Sequence, residues 1–137
     1  MAGVLAARGV DAWVFRGDDG LDELTTTTTS SVWRVHGGEV RETTLDPRAH
    51  GVAAGTAADL RGGDAAHNAD VVRRVLDGEA GPVRDAVVLN AAAALAVHDD
   101  PALDVDEALG AALARATDAI DSGAARATLD RWVAVSA

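Results

Sequence analysis

Four acidic side chains crowd a short segment that also carries glycines, the run from Gly17 to Leu24. The acids are Asp18, Asp19, Asp22 and Glu23. Glycine next to aspartate favours a loop. Repulsion between so many like charges is unfavourable unless a cation compensates it. Mg²⁺ is the natural candidate, because it binds through one or two carboxylates and takes its other ligands from water and phosphate oxygens. These residue types indicate either a magnesium-binding loop or a solvated acidic turn.

Adjacent Asp22 and Glu23 allow two arrangements of metal. If the backbone leaves strand geometry at Gly20, each carboxylate faces a separate ion, or the two share one ion through water. A second glycine segment, residues 61–64, resembles a phosphate-binding loop only superficially. It follows an alanine- and glycine-rich connector instead of a strand, and Asp64 would repel a phosphate, so we expect Asp64 to cap a helix.

The remaining polar residues suggest no further centre. The histidines lack the spacing of metal ligands, so we expect surface or loop positions for His36, His50, His67 and His98. The chain has no cysteine, which excludes a thiol nucleophile and a disulfide framework. The tryptophans are predicted to be core anchors, and they are Trp13, Trp33 and Trp132.

The net charge restricts the class of partner. The 137 residues include 22 acids and 12 bases, which gives a formal charge of -10. Such a charge repels phosphate backbones and anionic lipid, so neither nucleic acid nor a membrane is expected as a partner. No apolar run reaches the roughly 18 residues of a membrane span. We expect a soluble protein, with the cytoplasm as the default location.

The elements that position the acidic loop are predicted to be strands first and helices afterwards. Residues 1–45 contain a buried strand over 11–15, the acidic loop and a β-hairpin that turns at Gly37-Gly38. The threonine run 25–29 is either a strand or solvated coil. Residues 46–63 form a connector, and residues 64–137 about four helices, starting with 65–77. The fold class is therefore α/β, as an incomplete part of one domain.

Five motifs follow one another along the chain. They are Gly17–Leu24, Asp46-Pro47, Gly62–Ala65 with Asn68-Ala69, Gly81–Ala92, and Ala119–Ala124. In this order they resemble the C-terminal part of anthranilate phosphoribosyltransferase, over nearly the whole chain. The pattern Gly-x-Asp-Gly-x-Asp-Glu and the pattern Arg-Asp-x-Val-x-Leu-Asn-Ala-Ala are specific in combination, although the first also occurs in the related pyrimidine nucleoside phosphorylases.

The resemblance implies a phosphoribosyltransferase/nucleoside-phosphorylase-like α/β domain and an enzyme of tryptophan biosynthesis. The amine of anthranilate would displace pyrophosphate from C1 of phosphoribosyl pyrophosphate. In the family the paired acids hold Mg²⁺, and these map onto Asp22 and Glu23. Asn68 and Asn90 match family positions that we interpret as packing and capping. Family members form homodimers through a helical domain that has no counterpart in this sequence.

The departures from the family predict an incomplete protein. The helical domain, the Gly-Thr-Gly-Gly-Asp phosphate loop and the Lys-His-Gly-Asn segment are all missing, and Met1 aligns with an internal helix. We therefore expect a chain that begins within the domain and is inactive without the missing N-terminal part. Arg16 stands where the family commonly has histidine, beside the acidic loop.

Two other hypotheses stay open at the level of sequence. In the first, the chain is a non-catalytic remnant that acts as an interaction module through an exposed sheet edge. In the second, it is a relative of the pyrimidine nucleoside phosphorylases that takes a nucleoside and phosphate.

Overall fold

A computed structural model describes residues 1–136 and confirms an α/β arrangement in which strands precede most of the helices. The predicted strand, hairpin and four following helices are all present. No helix in residues 1–136 is both long enough and apolar enough to cross a membrane. The elements are α1 (Ala2–Ala7), β1 (Ala12–Gly17), β2 (Ser30–His36), β3 (Glu39–Leu45), a 3-10 helix (Pro47–His50), α2 (Ala65–Leu76), α3 (Pro82–Asp99), α4 (Val105–Asp121) and α5 (Ala124–Ser136).

The three strands form one antiparallel sheet in the order β1-β2-β3. Strands β2 and β3 make the predicted hairpin, in which Val35 lies opposite Val40. The turn between them is Gly37-Gly38, with φ of 59° and 81°. Two consecutive positive φ angles suit a tight turn that matches the twist of a hairpin, and glycine adopts them without steric cost.

Strand β1 is less buried than its apolar sequence predicts. Its central residues Trp13, Val14 and Phe15 are only partly buried. The strand pairs with β2 along one edge, and no strand within residues 1–136 pairs with its other edge. The indole Nε1 of Trp13 is buried without a hydrogen-bond acceptor. The apolar run of β1 is typical of a central strand, whereas β1 lies at the edge of this sheet. The sequence therefore overestimates its burial.

The core lies between the sheet and the two longest helices. Leu24, Val32 and Leu45 from the strand half and Leu89 and Leu109 from the helical half are fully buried in one cluster. Helices α3 and α4 pack against each other, and both contribute small buried side chains to the core, namely Ala92, Ala93, Ala96, Ala108, Ala112 and Ala116. Small residues let two helix backbones approach each other, so the separation of these helices depends on those positions.

Helix α3 is not enclosed on all sides, although its sequence is apolar nearly all round. Val88 is 9% exposed, whereas its neighbour Val87 is 43% exposed. Helix α5 is also on the surface, and Trp132 is 69% exposed, so the expectation that this tryptophan anchors the core is wrong. The helical spacing of the apolar residues near 132 predicts the helix. It does not predict whether a face of that helix packs against another element.

One side chain ties the hairpin to the helices. The guanidinium of Arg34 on β2 donates from Nε to the carbonyl oxygen of Pro101 at 3.1 Å and from Nη2 to that of Ala102 at 2.7 Å. These carbonyls belong to the turn between α3 and α4. The hydrogen bonds therefore fix the turn against the sheet.

The adjacent valines of α3 provide a matched test of this packing. Val88→Ala is expected to lower the free energy of unfolding by about 2 kcal/mol, because it removes buried methyl groups and leaves a cavity. Val87→Ala removes the same atoms from the surface and is expected to change it by about 0.5 kcal/mol or less. Urea unfolding of both variants measures the difference. Equal losses would contradict the burial described for α3.

Candidate functional site

The acidic loop joins β1 to β2 and starts with a tight turn. The amide of Gly20 donates to the carbonyl of Gly17 at 2.9 Å, and the amide of Gly17 donates to the carbonyl of Leu21 at 2.9 Å. Gly20 has a φ of 99°, a conformation that side chains other than glycine's disfavour. The backbone thus leaves strand geometry at this turn, which is the condition under which Asp22 and Glu23 would each face a separate ion or share one ion through water.

Two of the four acids of the loop are bound within it. The carboxylate of Asp19 accepts hydrogen bonds from Thr25 Oγ1 at 2.6 Å and from the hydroxyl of Thr27. It also accepts from the amide of Leu21 at 3.1 Å. Asp19 therefore ties the start of the loop to the threonine run that follows it.

Asp18 makes the equivalent contact with the far end of the loop. Its carboxylate accepts hydrogen bonds from the hydroxyl of Thr29 and, at 3.0 Å, from Ser31 Oγ. The amide of Asp18 also donates to the carbonyl of Thr29 at 3.0 Å. Each of these two aspartates thus has hydroxyl donors of its own, so neither charge requires a cation for compensation.

The threonine run is neither the strand nor the solvated coil between which the sequence left the choice. It is irregular in conformation, and Thr25 and Thr26 are buried. Three of its hydroxyl groups donate to the aspartates: those of Thr25 and Thr27 to Asp19, and that of Thr29 to Asp18. Because β-branched side chains are restricted at χ1, threonine holds these hydroxyls in fixed positions. The β-branched composition of the run therefore does not indicate a strand here.

These hydrogen bonds shift the acidity of both aspartates. The hydroxyls of Thr29 and Ser31 lower the pKa of Asp18 below its usual value. For Asp19, partial burial raises the pKa, but the hydrogen bonds from Thr25, Thr27 and the Leu21 amide together outweigh it, and the net pKa is lowered. Both carboxylates are therefore charged at neutral pH.

The other two acids, Asp22 and Glu23, differ from this pair. Both side chains are exposed, and within residues 1–136 neither carboxylate takes part in a hydrogen bond or an ion pair. The four acids of the loop therefore fall into two pairs, since Asp18 and Asp19 are bound by hydroxyls and Asp22 and Glu23 face solvent. Among the described residues, no group of three or more His, Asp or Glu side chains converges as a metal cage would require.

A side chain from the helical half fixes the backbone beside these free acids. Asn90, in the middle of α3, accepts from the amide of Leu24 at 2.9 Å through Oδ1 and donates to the carbonyl of Leu24 at 2.8 Å through Nδ2. Nδ2 also donates to the carbonyl of Ala86 at 3.0 Å. The expected packing role of Asn90 is thus present, but it caps no helix end. Sequence reasoning missed this clamp because its partners lie 66 residues apart.

Glu23 lies at the edge of an open cleft of about 410 Å³. The other walls come from the connector and from the exposed side of α3, namely Leu60, Val83, Ala86, Val87 and Asn90. The cleft therefore combines one free carboxylate with a largely apolar wall. Such a surface can bind the uncharged part of a ligand while the acid faces a cation.

Arg16 lies next to the loop without entering it. Its side chain is exposed, and one guanidinium nitrogen lies 3.9 Å from the point where Gly20 would carry a β-carbon. Its positive charge contributes, as the smallest of several causes, to the lowered pKa of Asp18. The residue that departs from the family pattern thus lies beside the turn at Gly20.

The glycine segment before α2 is a helix cap, as predicted. Asp64 accepts from the amide of His67 at 2.8 Å. Asn68 accepts from the amide of Gly63 at 2.8 Å and donates to the carbonyl of the same residue at 3.1 Å. In a phosphate-binding loop the backbone amides are free to bind the phosphate. Here the amide of Gly63 already donates to Asn68.

The histidines are dispersed, and two are paired with aspartates. His36 Nδ1 lies 3.0 Å from Asp11 Oδ1, and His50 Nε2 lies 2.9 Å from Asp106 Oδ1. His36 is on the surface as expected. His50 is in the connector, but its side chain is only 10% exposed, because it packs against the first turn of α4.

Comparison with known proteins gives one consistent family. The glycosyl transferase family, a/b domain, matches residues 1–126. The chain is 69% identical over 137 residues to a protein of Nocardioides sp. named anthranilate phosphoribosyltransferase, covering 100% of this chain and 40% of that protein. A protein of the same name from Thermobifida fusca is 62% identical over 97% of this chain and 38% of its own length. The chain thus spans about two fifths of these relatives.

Solved structures agree with that fold. The anthranilate phosphoribosyltransferase of Thermus thermophilus superimposes with a TM-score of 0.82 at 33% identity, covering 97% of this chain and 38% of that one. The Saccharomyces cerevisiae enzyme in complex with PRPP and Mg superimposes with a TM-score of 0.75 at 20% identity, covering 89% of this chain and 34% of that one. At that identity the second similarity concerns the fold alone.

The bound aspartates predict a specific dependence of stability on acid. Asp19 has a folded-state pKa below its ordinary 3.8, so its contribution is present above the unfolded pKa and is lost as the pH falls through the folded pKa. In Asp19→Asn we expect a smaller loss of stability between about pH 5 and pH 2 than in the wild type. Urea midpoints across that range measure it.

Asp22→Asn is the matched control, because it removes a carboxylate of the same loop that has no hydrogen-bond donor within the described residues. Because it removes no hydrogen bond within the described residues, it is expected to change the free energy of unfolding at neutral pH by about 0.5 kcal/mol or less. If the two variants gave the same curve, the hydroxyl contacts of Asp19 would not contribute to folding.

Proposed function

The chain belongs to the glycosyl transferase family, a/b domain, and from this membership we propose that it is the C-terminal part of an anthranilate phosphoribosyltransferase. The reaction transfers the phosphoribosyl group from phosphoribosyl pyrophosphate to the amine of anthranilate and releases pyrophosphate, a step of tryptophan biosynthesis. The observation that carries the proposal is the 69% identity to the Nocardioides protein over all 137 residues, the acidic loop included.

The free acids are the residues that would hold Mg²⁺ in this proposal. Asp22 and Glu23 supply exposed carboxylate oxygens, the donors that Mg²⁺ prefers, and no cation of the described chain neutralises them. Two protein carboxylates suffice, because Mg²⁺ takes its other ligands from water and from substrate phosphates. When bound, the metal supplies positive charge where negative charge grows on the departing diphosphate.

The remaining residues of the site position this pair. Asp18 and Asp19 fix the loop through hydroxyls of its own chain, so they do not compete for the metal. Val83 and Val87 form an apolar wall of the same cleft as Glu23. Catalysis of this kind depends mostly on holding charged groups in place, because the bond change needs no covalent help from the protein.

In this proposal the 137 residues form one part of a larger domain. Residues 1–137 would be part of one α/β domain, with the strand, metal loop and hairpin in 1–45, a connector in 46–63 and helices in 64–137. The open edge of β1 supports this, because an unpaired strand with a half-buried apolar centre favours a further strand beside it. Turnover would require the N-terminal part of the enzyme that lies outside these 137 residues, a part that in the family also holds the helical domain of the homodimer. The cytoplasm is the expected location.

The same open edge favours one alternative function. An unpaired strand can bind an extended segment of another protein, so the chain could persist as an interaction module without catalysis. The second alternative, a relative of the pyrimidine nucleoside phosphorylases, has less support, since the relatives described above carry the transferase name.

A chimera tests the transferase directly. The part of the Nocardioides protein that precedes the match is fused to this chain, and anthranilate fluorescence is followed with phosphoribosyl pyrophosphate and Mg²⁺. We expect the chimera to consume anthranilate and the 137-residue chain alone to be inactive. In the chimera, Asp22→Asn with Glu23→Gln should lower kcat/KM about 100-fold or more, the effect of removing charge at a developing anion.

The charge-matched control is Glu39→Gln with Glu42→Gln, two exposed acids of β3 in the hairpin, which should leave kcat/KM unchanged. An inactive chimera beside an active Nocardioides parent would favour the interaction module. Cleavage of a pyrimidine nucleoside by phosphate would favour the phosphorylase. Full activity without both loop acids would refute their role as metal ligands.

A further inference from the structure

We propose that Asn90 is the positioning residue of the cation site, holding Asp22 and Glu23 in the geometry in which they bind a divalent ion. This inference rests on the proposed function, because it takes those two acids as the ligands. It adds a residue from a different element, α3, whose side chain contacts the backbone of the loop and not the ion.

The contacts of Asn90 restrict the peptide that follows Glu23. The amide that donates to Asn90 Oδ1 belongs to the peptide group between Glu23 and Leu24, and the carbonyl that accepts from Nδ2 belongs to the next peptide. Both peptide planes are therefore oriented by one side chain. Leu24 is fully buried, so the same residue is held by packing as well.

The loop is fixed on its other side too. Leu21 accepts from the amide of Gly17 at 2.9 Å and donates to Asp19 Oδ1 at 3.1 Å. Asp22 and Glu23 thus lie between two anchored residues, Leu21 and Leu24. Their backbone is held at both ends while their carboxylates have no partner in the described chain, the arrangement expected of preorganised ligands.

Only an amide satisfies the three contacts of Asn90. The position needs an acceptor for the Leu24 amide and donors for the carbonyls of Leu24 and Ala86. An aspartate would repel both carbonyls, and a leucine would leave the amide and the carbonyl of Leu24 without these partners. Asparagine is also a weaker helix former than leucine or alanine, so the middle of α3 gains nothing locally from it.

The chain contains a matched control for this clamp. Asn68 makes the same pair of hydrogen bonds, at 2.8 and 3.1 Å, with the backbone of Gly63. No acidic pair like Asp22-Glu23 lies next to Gly63 in the sequence. Removal of either asparagine therefore costs an amide-to-backbone clamp, but only removal of Asn90 should affect the cation ligands.

The experiment uses the ¹⁵N-labelled 137-residue chain with Mn²⁺ as the probe, because Mn²⁺ takes the same oxygen ligands as Mg²⁺ and broadens nearby amide signals. In the wild type we expect saturable broadening at residues 20–24. Asn90→Leu should weaken Mn²⁺ binding about tenfold, the low end of the effect of losing a residue that orients metal ligands, and should speed hydrogen exchange at the Leu24 amide. Asn68→Leu should leave Mn²⁺ affinity unchanged.

The outcomes separate this inference from the proposed function. No saturable broadening of the loop in the wild type would refute the cation site, and the role of Asn90 with it. Wild-type Mn²⁺ affinity in folded Asn90→Leu would refute the positioning role alone, as would equal weakening in Asn68→Leu. If Asn90→Leu does not fold, Asn90→Ser replaces it, because serine keeps a hydroxyl for one of the contacts with Leu24. A Mn²⁺ affinity of Asn90→Ser between those of the wild type and Asp22→Asn would support the inference. A Mn²⁺ affinity equal to that of the wild type would refute it.

Discussion

The side-chain amide of Asn90 joins the two halves of the structure through both backbone polar groups of Leu24. One half consists of strands and the acidic loop, the other of helices, and the connector between them is irregular apart from one short 3-10 helix. Fully buried Leu24 and Leu89 belong to the same apolar cluster. The end of the loop that follows Asp22 and Glu23 is therefore fixed to α3.

The four acids of the loop divide into two functional classes by their hydrogen-bond partners. Hydroxyls of the threonine run satisfy Asp18 and Asp19, which gives these carboxylates a structural role. Asp22 and Glu23 come later in the same loop and have no such donors in the described chain. The backbone of this loop is held at both ends, while two of its carboxylates remain charged and exposed to solvent. This arrangement suits a cationic ligand.

Sequence patterns identified the elements better than their surroundings. The hairpin at Gly37-Gly38, the cap at Asp64 and the four helices after residue 64 follow from local rules, and all are present. The burial of β1, the exposure of Trp132 and the clamp of Asn90 depend on contacts between distant segments, which local patterns do not encode. The acidic loop was recognised from composition, but its division into bound and free acids required knowing where the threonine hydroxyls lie.

The alanines between α3 and α4 have a consequence for how this protein can change over generations. These alanines are buried in the core, so a larger residue at Ala92 or Ala112 would overpack it and shift the backbone of α3. Asn90 would move with it, and the acidic loop would follow, although neither alanine is near the loop in sequence. Substitutions along this contact are therefore expected to survive only as coevolving pairs, in which a gain of volume on one helix is matched by a loss on the other.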